Sequence, residues 1–414
     1  MSPSKFAPLP LVLLAAASTA HAESNKLQAQ YWVDLSTTNM TIPGMPEEGA
    51  QGGGGGLLGG LIGNAIGNKM SSAMGMNRGK SMNTELWVRA KPAGVEASHA
   101  IPAGMNMGDA LPLMPIRPVE TRPSEPGRSE QDSKPEKPKG RILMYWGCGE
   151  EVRKGQPKIL DLASQNYAEF AQFFASSHGR MSKGAQGKVG DSVWPNEKDA
   201  KPVPENASLQ GAHAVTGEAV PATLKFNVDA ANDFLPKARL TATGQPQDSV
   251  ALAWNEMETA KGYFLQATGG GKTEDGGSDL ILWSSSELPD IGWGLMSYQS
   301  PAQVAKLVQQ KVVLAPKVST CAIPKGIFAK AQGAVVNMIA YGPELNVSYP
   351  ARPQKAPADW QPDWTARVRV KSTGMTMLGS NESGGRSGRR DEQQTENKQE
   401  APNPVNLLKG LFGK

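Results

Sequence analysis

Two cysteines, Cys148 and Cys321, and four histidines are all that 414 residues offer for thiol or imidazole chemistry. Each cysteine lies in or beside a strand-like run, RILMYWGCG and VSTCAIP. In an oxidising compartment an even count predicts a Cys148–Cys321 disulfide; the alternative is two buried free thiols. His99, His178 and His213 fall in loop-like contexts far apart in sequence. None belongs to an H-E-x-x-H motif or stands beside a cysteine, so a zinc hydrolase has no motif behind it. There is no G-x-S-x-G nucleophile elbow, and Ser284, Ser285 and Ser286 read as the polar end of a strand. Gly271-Lys272-Thr273 imitates the end of a phosphate-binding loop, but Gln266 stands where that motif needs glycine. No catalytic residue, metal or cofactor is assigned. A triad assembled from distant residues keeps an unrecognised hydrolase open as an alternative.

Binding chemistry is better represented. Asp359, Trp360, Asp363 and Trp364 place two indoles and two carboxylates together, a set able to stack on sugar rings and bond their hydroxyls. Trp is highly buried on average, so anchoring of the loop to the sandwich by both indoles is the favoured reading. The thioethers of Met70, Met74, Met76, Met82, Met105 and Met107 would suit Cu(I). No His or Cys stands with them, and hydrophobic filler is the favoured reading. Gly55, Gly59, Gly63 and Gly67 recur every fourth residue with Leu58, Leu61, Ile62, Ala65 and Ile66 on the flanks. On a helix they make one smooth stripe, similar to the glycine-zipper segments of some bacterial envelope proteins. Such a helix would span about 20 Å, short of a ~30 Å bilayer core. A flexible Gly-rich insertion is the favoured reading, because glycine is costly in helices. Leu407, Leu408, Leu411 and Phe412 repeat the local form near the other end, LLKGLFG against LLGGLIG. At least one of the two segments is expected to dock on a membrane surface or a protein partner; the alternative is a flexible loop and a frayed end.

Lys5, the apolar run Leu9 to Ala17 and Ala20-His21-Ala22 have the form of a secretory signal peptide over residues 1–22. The expected location is therefore exported: periplasmic or outer-membrane-associated, with an extracellular fate also open. A net charge of +4 without a basic stripe among aromatics gives nucleic-acid binding no support. Gly 46, Pro 32 and aromatics of only 6% suggest a mainly β protein with long loops.

The elements that must position these groups follow from periodicity. Tyr31, Val33 and Leu35 alternate as one face of a first strand, and Glu85 to Ala90 reads as its partner across the Gly/Met-rich insertion, all within 23–121. Residues 122–140 are a charged, Pro-rich linker or loop. In 141–220, Arg141 to Gly147 is a strand, Ala163, Tyr167, Phe170 and Phe174 recur at helical spacing, and Gly179 to Val215 is polar and irregular. Residues 291–378 hold a second helix, N-capped by Ser300 with Pro301 in its first turn. Strands at Ala334 to Ala340 and Asn346 to Tyr349 follow, with Tyr341-Gly-Pro-Glu as the turn between them, and then a one-face-wet strand at Trp364 to Lys371. Residues 379–414 read as a disordered tail with a short apolar end.

Between these, Val250, Leu252 and Trp254 alternate on one strand, Tyr263, Leu265 and Ala267 on a second, and Leu280 and Leu282 on a third. A strand ending in Trp, a short turn and then Ala-x-Gly-Tyr-x-Leu-x-Ala resembles a bacterial fibronectin type III module, over about 221–290. The resemblance implies a β-sandwich that serves as scaffold or binding platform, with flanking strands forming one or two further sandwich-like parts. The expected function is an exported, non-catalytic envelope protein that binds a partner or assembles. A carbohydrate-binding protein with an aromatic platform is the alternative, and the unrecognised hydrolase comes after it.

Overall fold

The computed structural model describes residues 26–41, 79–118 and 140–378, apart from 165, 176, 181–183, 186, 274–276 and 332. The protein is mainly β, built from large sheets with two α-helices among the described residues. Its spine is a parallel pair made by the first and last of the described strands, β1 (Ala29–Thr41) and β16 (Trp364–Leu378), in register from Ala29↔Trp364 to Thr41↔Thr376. β1 continues antiparallel into β2 (Gly79–Val88), as the two alternating sequences anticipate. β16 continues antiparallel into β15 (Ala334–Tyr349). From this spine a 13-stranded sheet extends both ways.

On the β16 side, β15 pairs with β12 (Gly262–Lys272), then β13 (Ser278–Ser284), β5 (Gly140–Trp146) and β6 (Lys158–Asp161). A separate three-stranded sheet holds β10 (Thr241–Thr243), β11 (Val250–Ala253) and β14 (Thr320–Ile323), with β11 central. The alternating residues explain why the two sheets face each other. Val250, Leu252 and Trp254 share one core with Tyr263, Leu265, Ala267, Val336, Met338 and Ala340. The Trp254 indole lies 5.6 Å from the Tyr263 ring. Strands from within 221–290 are thus completed by β14, β15 and β16, which come from beyond it.

The Cys148–Cys321 disulfide is formed, with Cα atoms 5.2 Å apart. It ties the end of β5 in the large sheet to β14 in the small one, and Gly149 N–H donates to Ala322 O beside it (3.0 Å).

On the β2 side the order is β7 (Ser192–Trp194), β4 (Ala110–Pro115), β3 (Ala97–Ala100), β8 (Gly211–Gly217) and β9 (Lys225–Val228). This half curls back on itself: Phe226 of β9 lies 6.1 Å from the Tyr31 ring of β1, though β2, β7, β4, β3 and β8 separate them in the sheet. The chain then crosses to the other half along the spine. Thr37 Oγ1 donates to Leu235 O (2.7 Å), Asn39 Nδ2 to Ala238 O (3.1 Å) and Ser372 Oγ to Pro236 O (2.7 Å). Those side chains satisfy carbonyls that the crossing segment would otherwise bury unpaired.

Both helices cover the outer face of the large sheet. α1 (Tyr167–Phe174) is shorter than the apolar spacing from Ala163 suggests, because Asn166 caps it by accepting from Ala168 N–H and Glu169 N–H. α2 (Pro301–Gln309) starts as expected, with Ser300 accepting from Gln303 N–H, and buries Val304 and Leu307 against Phe264, Ile339 and Tyr341.

Three local expectations change. Tyr341-Gly-Pro-Glu is not a turn: β15 runs through it with a register shift between Tyr341 and Glu344. A Cβ on Gly342 would lie 2.6 Å from Val370 O, and Pro343 has no N–H to give a ladder, so the irregularity is a bulge. Gly179 to Val215 is not uniformly irregular, since it contains β7 and the start of β8. The polar side of Trp364 to Lys371 is not wet throughout, because Arg369 is only 4% exposed.

Candidate functional site

The outer face of the spine concentrates charge where a sheet interior is usually apolar. Strand alternation puts Trp32, Asp34 and Ser36 of β1 beside Arg367, Arg369 and Lys371 of β16, pair by pair in register. β15 adds Asn346 and Glu344 opposite Arg367 and Arg369. At the centre Arg369 donates two bonds to Asp34, Nε to Oδ1 at 2.7 Å and Nη2 to Oδ2 at 2.6 Å. Both side chains are almost wholly buried. Fork-to-fork geometry of this kind is the strong form of an ion pair.

Aromatic rings complete the ladder. The Arg367 and Arg369 guanidinium carbons lie 4.5 and 5.4 Å from the Trp32 ring centre. The Tyr298 ring sits 4.4 Å from the Arg369 guanidinium and 4.6 Å from Lys371 Nζ, and its hydroxyl donates to Leu35 O. Burial raises the Tyr298 hydroxyl pKa well above its ordinary value; Asp34 adds to this and Arg369 opposes it. Burial lowers the Lys371 ammonium pKa, with Asp34 acting against and Arg369 with that effect.

A glycine-rich strap crosses this face. Ala185 N–H donates to Asp34 Oδ2 (3.2 Å) and Gly187 N–H to Glu85 Oε2 (2.7 Å). At Gly184 an added Cβ would lie 1.5 Å from Arg369 Nη2, so only glycine lets the backbone pass over the ion pair. Of the glycines of HGRMSKGAQGKVGD, Gly184 lies on the spine, while Gly179, Gly187 and Gly190 lie close against Leu295, Ile116 and Pro92.

The strap begins at a second cluster. His178 gives both its N–H and its Nδ1 to Asp290 Oδ2 (2.8 Å each), while Asp290 Oδ1 accepts from Gly292 N–H (2.7 Å). Asp290 is fully buried. The pair orients an imidazole as a general base would require. Of the neighbouring seryl hydroxyls, Ser284 Oγ donates to Asp290 O (2.7 Å), while Ser285 Oγ accepts from Leu265 N–H and Ser286 Oγ from Leu288 N–H. The described contacts thus put no serine on the imidazole. Beside it Trp293 is 42% exposed and stacks on Phe174 at 4.8 Å with 9° between planes.

His99 and His213 are not in loops. They lie on β3 and β8, buried and in contact, with Nε2 of one 3.0 Å from Nδ1 of the other. Spacing in sequence gives no hint of this, since the sheet brings together residues 114 apart. Among the described residues no group of three or more His, Cys, Asp or Glu could hold a metal.

The Asp359–Trp364 set is not assembled as a platform. Trp364 is 1% exposed, gives its indole N–H to Thr223 Oγ1 (3.0 Å) and stacks on Tyr349. Trp360 is half-buried under the Arg352 guanidinium, 5.7 Å away. Asp363 serves through its backbone, whose carbonyl accepts from Gln28 and Ala29, and Asp359 is exposed. Met82, Met105 and Met107 are core residues. Gly55, Gly59, Gly63, Gly67, Leu407, Leu408, Leu411, Phe412, Met70, Met74 and Met76 lie outside the described residues, as do residues 1–22 and the tail. No known protein family, curated protein or solved structure matches this chain.

Proposed function

We propose that the protein is an exported, non-catalytic scaffold that binds a partner or assembles in the cell envelope. The observation that carries this reading is how the polar clusters spend their groups. Asp34 is taken by Arg369 and a backbone N–H, Asp290 by His178 and two backbone N–H groups, and His99 by His213 and Tyr31. Groups held this way build and rigidify a fold. The disulfide and the signal-like residues 1–22 support export, because such bonds persist in oxidising compartments. Among the described residues no helix is long and apolar enough to cross a membrane.

The fibronectin type III-like reading is extended to β10–β16. Its first, second and fifth strands form one sheet and its third, fourth, sixth and seventh the other. That differs from the immunoglobulin constant arrangement only in the sheet taken by the fourth strand. The test is fractionation of the full chain expressed with its own N-terminus, with thiol alkylation and crosslinking. Release at Glu23, oxidised cysteines and a recurrent crosslinked envelope partner are expected. An uncleaved cytoplasmic chain with reduced thiols would refute the reading.

Glycan binding is the second reading, and Trp293 is the observation that favours it. An exposed indole held in plane by Phe174, with an oriented imidazole nearby, has the form of a sugar-stacking subsite. Binding to peptidoglycan sacculi or chitin that is lost in Trp293→Ala would support it; equal retention of wild type and variant would end it.

A further inference from the structure

One hydrogen-bonded chain crosses three strands in the N-terminal half. Tyr31 Oη lies 2.7 Å from His99 Nδ1, His99 Nε2 lies 3.0 Å from His213 Nδ1, and His213 Nε2 lies 2.8 Å from Leu209 O. The carbonyl at the end can only accept, so His213 Nε2 carries a proton. With both imidazoles neutral, His213 Nδ1 then accepts from His99 Nε2–H, and His99 Nδ1 accepts from the Tyr31 hydroxyl. Every proton in the chain is assigned by that one carbonyl.

The chain fastens a leaf of the sheet. In the sheet β4, β3, β8 and β9 join the rest through β7, which pairs with β2 at three positions and with β4 at Met114↔Val193 and Pro115↔Ser192. The β4 pairing is continued by Ile116 N–H to Asp191 O and Gly190 N–H to Ile116 O. Outside the sheet, Trp364 also bonds Thr223 between β8 and β9. Beyond that neck the leaf curls over β1, where His99 bonds the Tyr31 hydroxyl and is itself backed by His213 of the neighbouring strand. We propose that this leaf is an acid-released flap, latched to β1 by the neutral Tyr31–His99–His213 chain.

The groups facing the latch explain the direction. β1 presents Tyr31, β2 presents Thr84 to the Tyr31 hydroxyl, β9 presents Phe226 stacked on His213 at 4.9 Å, and the segment before β8 presents Leu209 O. The described contacts put no carboxylate on either imidazole. One added proton could keep the hydrogen bonds if the Tyr31 hydroxyl turned from donor to acceptor. No contact supplies a counter-charge, and a second proton would set two N–H groups against each other at 3.0 Å.

Burial, reinforced by His213, holds the His99 pKa well below the usual imidazole value; burial also lowers that of His213, with Leu209 O opposing. The open leaf, with ordinary imidazoles, therefore binds protons more tightly than the closed one. Closure is fully favoured above about pH 6.5 and loses ground as pH falls through it. A surface cavity of about 470 Å³ lies beside His213 and Phe226 and is also lined by Lys225 of β9, a further cation on that side of the latch.

The test is hydrogen exchange on the full chain from pH 7.5 to 5, corrected for intrinsic rates, with imidazole ¹⁵N spectra alongside. Uptake of two protons predicts that the leaf's opening constant, read at 97–100 and 211–217, rises up to about 100-fold per pH unit below about 6.5. Protection at β15 and β16 should stay flat. His213→Gln should reduce the dependence to about tenfold per unit. The folded wild type should keep both imidazoles neutral with protonated Nε2 at pH 5.5. Imidazolium signals titrating near 6.5 in an intact fold, or equal loss of protection in leaf and spine, would overturn the proposal. Should His213→Gln not fold, the wild-type exchange and spectra still decide it.

Discussion

Removing one half of the Asp34–Arg369 pair tests the account of the spine most directly. Both side chains are at most 7% exposed and share two bonds of 2.6–2.7 Å. At about 4 Å between charge centres and an effective dielectric near 20, their attraction is about 4 kcal/mol. Arg369→Met leaves a buried carboxylate held by Ala185 N–H and strips Tyr298 and Trp32 of a stacked cation. Asp34→Leu leaves a buried guanidinium. Each single change is expected to cost about 3–5 kcal/mol, a large share of the ~5–15 kcal/mol of a typical domain. The double variant removes both charges and should cost much less than the sum, because a buried pair roughly breaks even against apolar residues of similar volume. Denaturant titration of the four full-length proteins closes the cycle. Additive single effects would show that the two side chains do not stabilise the spine as a unit.

Three other outcomes follow from the packing. Replacing Cys148 and Cys321 with serine should lower stability by about 2–5 kcal/mol, read as a shifted unfolding midpoint; an unchanged midpoint would refute a role in joining the sheets. Trp254→Ala should cost about 3–5 kcal/mol, since the indole is 5% exposed against Tyr263, and an unaltered midpoint would mean the β11 face is misplaced. Gly184→Ala drives a methyl into Arg369, so it should cost about 1–3 kcal/mol and hasten limited proteolysis within 177–190; wild-type cleavage rates would count against the strap.

Much of the fold was legible because alternation is a local signal. The β1–β2 pair, the β12–β13 hairpin, both helices and the inward Trp254 all follow from periodicity and capping residues. The site was not legible, for a physical reason: its partners are distant in sequence. Asp34 meets Arg369 across 335 positions and His99 meets His213 across 114. Arg367 and Arg369 looked alike on paper, yet one is half-buried at the ladder's edge and the other lies under the strap and Tyr298. Trp360 and Trp364 looked like a pair, but the second belongs to the core because β16 begins there. The one usable hint was glycine in HGRMSKGAQGKVGD, where repeated loss of side chains marks backbone laid tightly on a surface.

The pairing of the first described strand with the last also sets a schedule. β1 ends at Thr41, whereas the strand it must lie against ends at Leu378. At about 5–20 residues per second, β1 waits on the order of half a minute before its parallel neighbour exists. The thiol partner of Cys148 likewise arrives 173 residues later. No early portion of the chain can therefore close the spine on its own. For a protein proposed to be exported, that delay is useful: it postpones locking of the fold until every described strand has been made.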